Sequence, residues 1–153
     1  MAFSLFAGKP EIARRQLLEY TVPRLETQLA PDGSLPFELE RTLSKHYTVG
    51  TLYCFALLAY MAQNCFGIDL WNRSNLHGVS LRQSMAWVDR QLDSKEPWAW
   101  QQIRPFGFQE PARLYFLAGI LENNPEYRRK ADERIACPLE YLIQIRQPQN
   151  LKG

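Results

Sequence analysis

Residues 47–66, with the sequence YTVGTLYCFALLAYMAQNCF, decide the fold of this chain. The stretch is apolar on every side of a helix, and Gly67 follows it, where the left-handed conformation that glycine tolerates can end the helix. Such a helix needs neighbours all round, so we predict a core helix at the centre of a helical domain. Its apolar run, 52–62, is shorter than the roughly 20 residues that a membrane span needs, and we expect no membrane partner.

Helical periods also occur on both sides of this core helix. Upstream, apolar residues from Pro10 to Leu29 follow a helical spacing, and Pro23 within the pattern is expected to kink the helix. Downstream, Ser80 can cap a helix that Asp93 and Ser94 end. Further helices are predicted over about 111–121, over about 126–135 and after Pro138. Strand signals are weak throughout, so the sequence predicts an all-α array of antiparallel helices.

The size and charge of the chain narrow the classes of protein to which it can belong. Its 153 residues, 46% of them hydrophobic, suffice for one globular domain, which we assign to residues 1–153. The 18 basic and 16 acidic side chains give a formal charge of +2. That field is too weak to attract nucleic acid, so any affinity for a polyanion must be local. The start, MAFSLFAGKP, lacks the basic region and the long apolar run of a signal peptide.

The cysteines and histidines do not suggest a metal site. Cys54, Cys65 and Cys137 have no C-x-x-C spacing, and the first two lie in the predicted core helix, so we expect buried free thiols. His46 and His77 have no ligand-like neighbour at the usual spacing. We therefore predict no metal and no cofactor, and we expect His77 to be a loop residue.

A second informative stretch, DGSLPFELERTLSKHY at residues 32–47, precedes the core helix. It begins with turn residues and has no clean apolar period, so we interpret it as a long loop. Its carboxylates, guanidinium, ammonium, imidazole and phenol give it the composition of a reactive site. The stretch resembles the DGS-x-P-x-E-x-x-RT-x-x-x-HY signature of the alginate lyase family. Further matches to that family follow in the family's order at 67–71 (GIDLW), 78–81 (GVSL) and 98–103 (WAWQQI).

This resemblance covers about residues 5–103 and leaves 104–153 as a helical C-terminal extension. It implies an incomplete (α/α) toroid of antiparallel helix pairs, in which an acidic polysaccharide such as alginate lies in a cleft and is cleaved by β-elimination. It also implies a periplasmic or secreted location. The chain looks like the C-terminal half of the toroid. The Asn-His pair that the other half contributes is absent here, so we expect either a fragment of a longer enzyme or a remnant that lacks part of its site.

The resemblance implies catalytic roles for Tyr47 and Arg41. Tyr47 would protonate the leaving oxygen, and on mannuronate-type geometry it could also be the base. A phenol, with an unperturbed pKa of about 10, is a poor base unless a cation stabilises the phenolate. Arg41 would be that cation or would bind the substrate carboxylate, and the sequence leaves both roles open. If the core helix begins near Tyr47, its free N–H groups would attract an anionic sugar.

Four further residues are candidates for substrate binding. Lys45 and His46 could add positive charge toward a polyanion, and a packing role is equally expected for His46. Glu38 is expected to orient the arginine or to close a loop hydrogen bond. Trp100, like Trp98, could stack on a sugar ring, but holding an irregular loop against the helices is the slightly favoured alternative.

The chain departs from the family pattern at two positions. Leu35 stands where a polar glutamine is common, and Ala99 stands where proline is common. The first change could weaken a polar subsite, and both bear on which uronate polymer is bound.

Other classes of function compete with a lyase. One is a non-catalytic helical domain that binds an acidic glycan, or a partner protein, through the same cleft. A helical-repeat scaffold is disfavoured because no period of roughly 30 to 50 residues emerges. A half-built toroid would also expose an apolar face, through which we expect self-association.

Overall fold

The computed structural model describes residues 1–135, and this part of the chain is helical. Within these residues no strand occurs, and one isolated antiparallel bridge joins Leu43 to Gln102. The all-α prediction is therefore confirmed. The described part contains a π-helical turn (Leu17–Thr21) and the helices α1 (Ala2–Phe6), α2 (Pro10–Gln16), α3 (Val22–Gln28), α4 (Pro36–Leu39), α5 (Ser44–Phe66), α6 (Leu81–Asp93), α7 (Ala112–Leu121) and α8 (Pro125–Glu133).

The helix predicted over residues 10–29 is divided at its centre. α2 ends at Gln16, the π-helical turn follows, and α3 begins at Val22 with Pro23 as its second residue. In a regular helix a proline ring clashes with the carbonyl group four residues earlier, and a wider π turn relieves that clash. The kink predicted at Pro23 is thus present as a π turn ahead of the proline.

The core helix α5 begins three residues before its predicted start and ends where predicted. Its C-cap is Gly67, whose φ of +65° lies in the left-handed region that glycine tolerates best. At its start, the N–H of Ser44 donates to the carbonyl oxygen of Gln101 (3.2 Å) and the N–H of Lys45 donates to Oε1 of Gln102 (3.0 Å). A distant segment of the chain therefore sets the first turn of α5.

α5 lies at the centre of the described part and packs against α4, α6 and α7. Its other side is incompletely covered within residues 1–135, where Cys54 and Cys65 are exposed and Leu58 is half-buried. The prediction of buried thiols is wrong for these two cysteines, because three helical turns separate them and they share this less covered face. Cys137 lies outside the described residues.

With 23 residues, α5 is long and apolar enough to cross a membrane. The core helix of a folded domain meets the same criterion, and eight residues of α5 are buried against the rest of the chain. The helix is longer than the apolar run of residues 52–62 suggested. The absence of a membrane partner stays a prediction.

α6 begins with a capping box. Oγ of Ser80 accepts a hydrogen bond from the N–H of Gln83 (3.3 Å), and Oε1 of Gln83 accepts one from the N–H of Ser80 (2.8 Å). The cap predicted at Ser80 is therefore confirmed. Farther along the helix, Met85, Trp87 and Val88 are buried in the core.

A charged cluster joins α6, α7 and α8. Nζ of Lys130 lies 2.5 Å from Oδ1 of Asp89 and 2.6 Å from Oδ2 of Asp93, and the hydroxyl of Tyr115 donates to Asp89 (2.7 Å). Lys130 and Tyr115 are buried, whereas the side chain of Asp93 is half exposed. α7 and α8 confirm the two helices predicted after the tryptophan-rich loop. The helix predicted after Pro138 lies outside the described residues.

Candidate active site

The DGS turn that opens the signature is a structural element. Oδ1 of Asp32 accepts a hydrogen bond from the N–H of Ser34 (2.9 Å), and hydrogen bonding to Ser34 lowers the pKa of Asp32. Gly33 has a φ of +89°, and a Cβ atom there would lie 3.1 Å from the carbonyl oxygen of Gln83 and 3.3 Å from Cβ of Trp87. The turn therefore sits directly on α6 and fixes the chain ahead of the cleft.

The stretch predicted as a long loop contains the short helix α4. Leu35, which precedes this helix, is 1% exposed, and Leu39 at its end is also buried. The expectation that Leu35 weakens a polar subsite is wrong, because this side chain lies in the hydrophobic core. These two leucines anchor α4 beside α5 and so position Glu38 between them.

Arg41 and Tyr47, the two predicted catalytic residues, contact each other. Cζ of Arg41 lies over the ring of Tyr47, 4.0 Å from its centroid, where the negative face of the ring attracts a cation. Nη1 of Arg41 lies 3.9 Å from Oε2 of Glu38. The side chain of Arg41 is 52% exposed and Tyr47 is 36% exposed, so a ligand can reach both.

The backbone N–H groups of Ser44, Lys45 and Tyr47, at the N-terminus of α5, are not available to a ligand. Residues 101–102 accept hydrogen bonds from the N–H groups of Ser44 and Lys45. The N–H of Tyr47 donates to the carbonyl oxygen of Leu43 (3.0 Å). The expectation that free N–H groups at Tyr47 attract an anionic sugar is therefore wrong, because α5 begins a turn earlier and the chain caps that turn itself.

His46 is held by residues from the loop between α6 and α7. Its Nδ1 lies 2.7 Å from Nε2 of Gln102, and its ring meets Phe106 edge to face, with centroids 5.0 Å apart. Its Nε2 lies 3.8 Å from Oε1 of Glu110. Phe106 and Glu110 also line a cavity of about 160 Å³ together with His46. His46 therefore packs against this loop, as expected, and also lines the wall of the cavity.

Lys45 and Trp100 belong to an aromatic cluster beside the first turn of α5. Nζ of Lys45 lies 5.2 Å from the ring centroids of both Trp98 and Phe106, and burial lowers the pKa of Lys45. Trp100 packs against Trp98 and Trp87, with centroids 5.0 and 5.6 Å apart. This geometry agrees with the packing alternative for the tryptophans. A role for Lys45 or Trp100 in substrate binding stays a prediction.

An open cleft of about 530 Å³ brings Glu38, His46 and Tyr47 together with two residues that the sequence did not suggest, Arg24 and Gln28. These two lie one helical turn apart on α3, so they share a face. Oε1 of Gln28 is buried without a hydrogen-bond partner among residues 1–135. No sequence signal singled them out, because only the packing of α3 beside α5 brings them to the cleft. The rest of the wall belongs to α5: Gly50, Thr51, Tyr53, Cys54, Phe55 and Leu58.

A larger surface hollow of about 690 Å³ lies over residues 107–113 and holds none of the predicted site residues. Within the described part of the chain, no group of three or more His, Cys, Asp or Glu side chains is arranged to hold a metal ion. The cleft beside Tyr47 is therefore the candidate active site, because of these two hollows it is the one that Glu38, His46 and Tyr47 line. Arg41 is not among its lining residues and adjoins it through its contact with Tyr47.

Comparisons with known proteins bear on the same region. The sequence model of the family described as "Alginate lyase" matches residues 1–98, well over half of the chain. The structure is similar to the crystal structure of an alginate lyase from Bacteroides ovatus, with a TM-score of 0.76 and 24% identity. That match covers 90% of this chain and 37% of the other, so the chain spans little more than a third of its neighbour's length. No curated protein matches the sequence.

The structural match confirms the predicted fold class, an all-α portion of an incomplete (α/α) toroid. At 24% identity the match concerns the fold. The family match covers the DGS turn, Arg41, Tyr47 and the whole of α5 and α6, which together hold most of the cleft and its support. The chain belongs to the alginate lyase family.

Proposed function

We propose that the protein is a polysaccharide lyase that cleaves alginate or a related uronate-containing polysaccharide by β-elimination. The observation that carries this proposal is the contact of Arg41 with Tyr47, which lines an open cleft, in a chain of the alginate lyase family. A phenol beside a guanidinium supplies a proton donor and a fixed positive charge. The elimination needs both of them.

The proposed reaction sets clear demands on the site. A base removes the proton at C5 of a uronate, the C4–O bond breaks, a C4=C5 double bond forms, and the expelled glycosidic oxygen takes up a proton. The C5 proton is weakly acidic because the neighbouring carboxylate is negative. The site must therefore neutralise that carboxylate and hold an acid and a base within hydrogen-bonding reach.

We assign the acid to Tyr47, whose hydroxyl protonates the leaving oxygen. On mannuronate-type geometry the same oxygen, as a phenolate, could first accept the C5 proton. The position of Arg41 over the ring supports a role in stabilising negative charge on the phenol. Binding of the substrate carboxylate by Arg41 is the alternative role, and the exposure of its guanidinium leaves room for it. Glu38 pairs with the same guanidinium, with Oε2 3.9 Å from Nη1 of Arg41.

We assign substrate binding to the side chains around Tyr47. A polyuronate has a carboxylate on each sugar, and Arg24 places a cation in the cleft wall for a neighbouring unit. His46 contacts the reacting unit, whereas Lys45 and Trp100 contact a longer glycan outside the cleft.

An acidic polysaccharide is therefore the proposed partner, and the periplasm or the cell exterior is the proposed location. A non-catalytic domain that binds acidic glycans is the second candidate. One observation favours it: the sequence contains no Asn-His pair. Such a domain would use the same cations without completing the elimination.

One assay separates the two candidates. The chain is mixed with alginate, and the ultraviolet absorbance of the unsaturated uronate product is followed while binding is measured in parallel by calorimetry. A rise in absorbance supports the lyase. A flat trace with retained binding supports the glycan-binding domain, and a flat trace without binding contradicts both. A neutral glucan, which has no carboxylate, serves as the control and should give neither signal.

A further inference from the structure

The side chain of Gln102 makes three polar contacts beside the first turn of α5. Its Oε1 accepts a hydrogen bond from the N–H of Lys45 (3.0 Å), and its Nε2 donates to the carbonyl oxygen of Arg104 (2.7 Å). The same Nε2 lies 2.7 Å from Nδ1 of His46. Each polar atom of this amide therefore has a defined neighbour.

Two of these neighbours are backbone groups, and they fix which way the amide of Gln102 points. A backbone N–H can only donate and a carbonyl oxygen can only accept. Rotating the amide by half a turn would bring its nitrogen against the N–H of Lys45 and its oxygen against the carbonyl oxygen of Arg104. Both contacts would be repulsive, so nitrogen must face His46.

The orientation of this amide determines the protonation pattern of the imidazole. The amide nitrogen has two hydrogens, one for Arg104 and one for His46, and it cannot accept a hydrogen bond. Nδ1 of His46 must therefore accept and carry no hydrogen. We infer that Gln102 is a positioning residue that holds neutral His46 as the tautomer with its hydrogen on Nε2.

This tautomer gives His46 a hydrogen-bond donor at the cavity wall. Oε1 of Glu110 lies 3.8 Å from Nε2, which is beyond hydrogen-bonding distance, so this N–H is available to an incoming acceptor. If the proposed function holds, this acceptor is a carboxylate or hydroxyl oxygen of the uronate. A neutral N–H donor would bind that oxygen without taking part in the proton transfer assigned to Tyr47.

Nitrogen NMR of the full chain labelled with ¹⁵N-histidine tests the inference directly. The sequence contains only His46 and His77, and exposed His77 serves as an internal reference. At a pH at which both imidazoles are neutral, we expect His46 to show a protonated Nε2 and an unprotonated Nδ1, and His77 to show exchange between tautomers. A hydrogen on Nδ1 of His46, or a mixture like that of His77, would overturn the inference.

Two matched variants test the role of Gln102. In Gln102→Glu the carboxylate can only accept, so the hydrogen of His46 should move to Nδ1. Gln101→Glu adds the same charge one residue away, where only the backbone contacts α5, and it should leave the His46 spectrum unchanged. An unchanged tautomer in a folded Gln102→Glu variant would show that Gln102 does not fix it. Because the spectra are recorded without substrate, this failure is distinct from a failure of lyase activity.

Discussion

The guanidinium of Arg41 lies over the ring of Tyr47, with Cζ 4.0 Å from the ring centroid, while Glu38 contacts the same guanidinium at 3.9 Å. The arginine is therefore held between a carboxylate and an aromatic face. In the proposed elimination, this contact places a fixed positive charge beside the phenol to which we assign the acid role.

Replacing Arg41 separates its two possible roles. Arg41→Gln should lower kcat on alginate by roughly 10²–10³, the usual effect of removing a group that stabilises developing charge. If Arg41 instead binds the substrate carboxylate in the ground state, KM should rise while kcat changes little. Arg41→Lys keeps the charge but loses the planar stacking, so its kcat/KM should lie between those of wild type and Arg41→Gln. Arg73→Gln, in an exposed loop, is the control, and an Arg41→Gln value of kcat/KM within about twofold of wild type would contradict both roles.

Arg24 is expected to contribute to substrate affinity. It lines the cleft from α3, and it is exposed, so its contact with a carboxylate is worth up to about 1 kcal/mol. Arg24→Gln should therefore raise KM about threefold to fivefold with little change in kcat. Arg14→Gln, on the exposed side of α2, removes the same charge outside the cleft. Equal KM values for the two variants in steady-state kinetics would remove Arg24 from the binding site.

The sequence contained enough information for the local features of the fold. Gly67 ends α5 and Ser80 caps α6 as expected, because both signals depend only on residues within one helical turn. The start of α5 was misplaced because hydrogen bonds that Ser44 and Lys45 donate to residues 101–102 determine it. Cys54 was expected to be buried because composition does not tell which side of an apolar helix its neighbours cover.

The candidate site could be predicted only in part from the sequence. The signature contained Arg41 and Tyr47 six residues apart, and their contact follows from the chain entering α5. Arg24 lies outside every motif and is brought to the cleft by packing, for which no local pattern exists. Gln102 lies in the matched stretch 98–103, but its contact with His46 depends on how that loop packs on α5. The assignment of residues 1–153 to a single domain stays a prediction.

Two glycine-to-alanine substitutions should have opposite effects on stability, because Gly33 packs closely on α6 and Gly50 has open space around it. Gly33→Ala should lower the free energy of unfolding by about 1–3 kcal/mol, because alanine is strained at positive φ and its Cβ would press on the backbone of Gln83. Gly50→Ala, in the middle of α5 with open space around the added Cβ, should raise it by about 0.5–1 kcal/mol. Urea unfolding measures both. A Gly33→Ala variant as stable as wild type would contradict the close contact with α6.

Alkaline pH should destabilise the packing of α7 and α8. Burial raises the pKa of Tyr115 and raises that of Tyr127 to about 12. Because these values are raised in the folded state, the stabilisation is complete below the unfolded pKa of about 10 and is lost as pH rises from there through the folded value. Each tyrosine should cost about 1.4 kcal/mol of unfolding free energy per pH unit in this window.

Denaturant unfolding at about pH 9 and about pH 11 checks this pH dependence. Tyr127→Phe should lose less stability than wild type between the two conditions, because the phenol that ionises in the unfolded state is gone. Tyr20→Phe, at an exposed position on the π-helical turn, should lose as much as wild type. Equal losses in all three proteins would contradict the burial of the Tyr127 hydroxyl as the cause.

The role of Tyr47 is tested most directly by Tyr47→Phe, measured as the initial rate of rise in ultraviolet absorbance on alginate with the affinity for alginate determined beside it. Removing the hydroxyl should lower the rate by roughly 10²–10⁴, the range expected for loss of a general acid, while Kd stays within about twofold. Tyr60→Phe, on the same helix outside the cleft, should keep the full rate. A Tyr47→Phe variant that cleaves alginate at the wild-type rate would contradict the account.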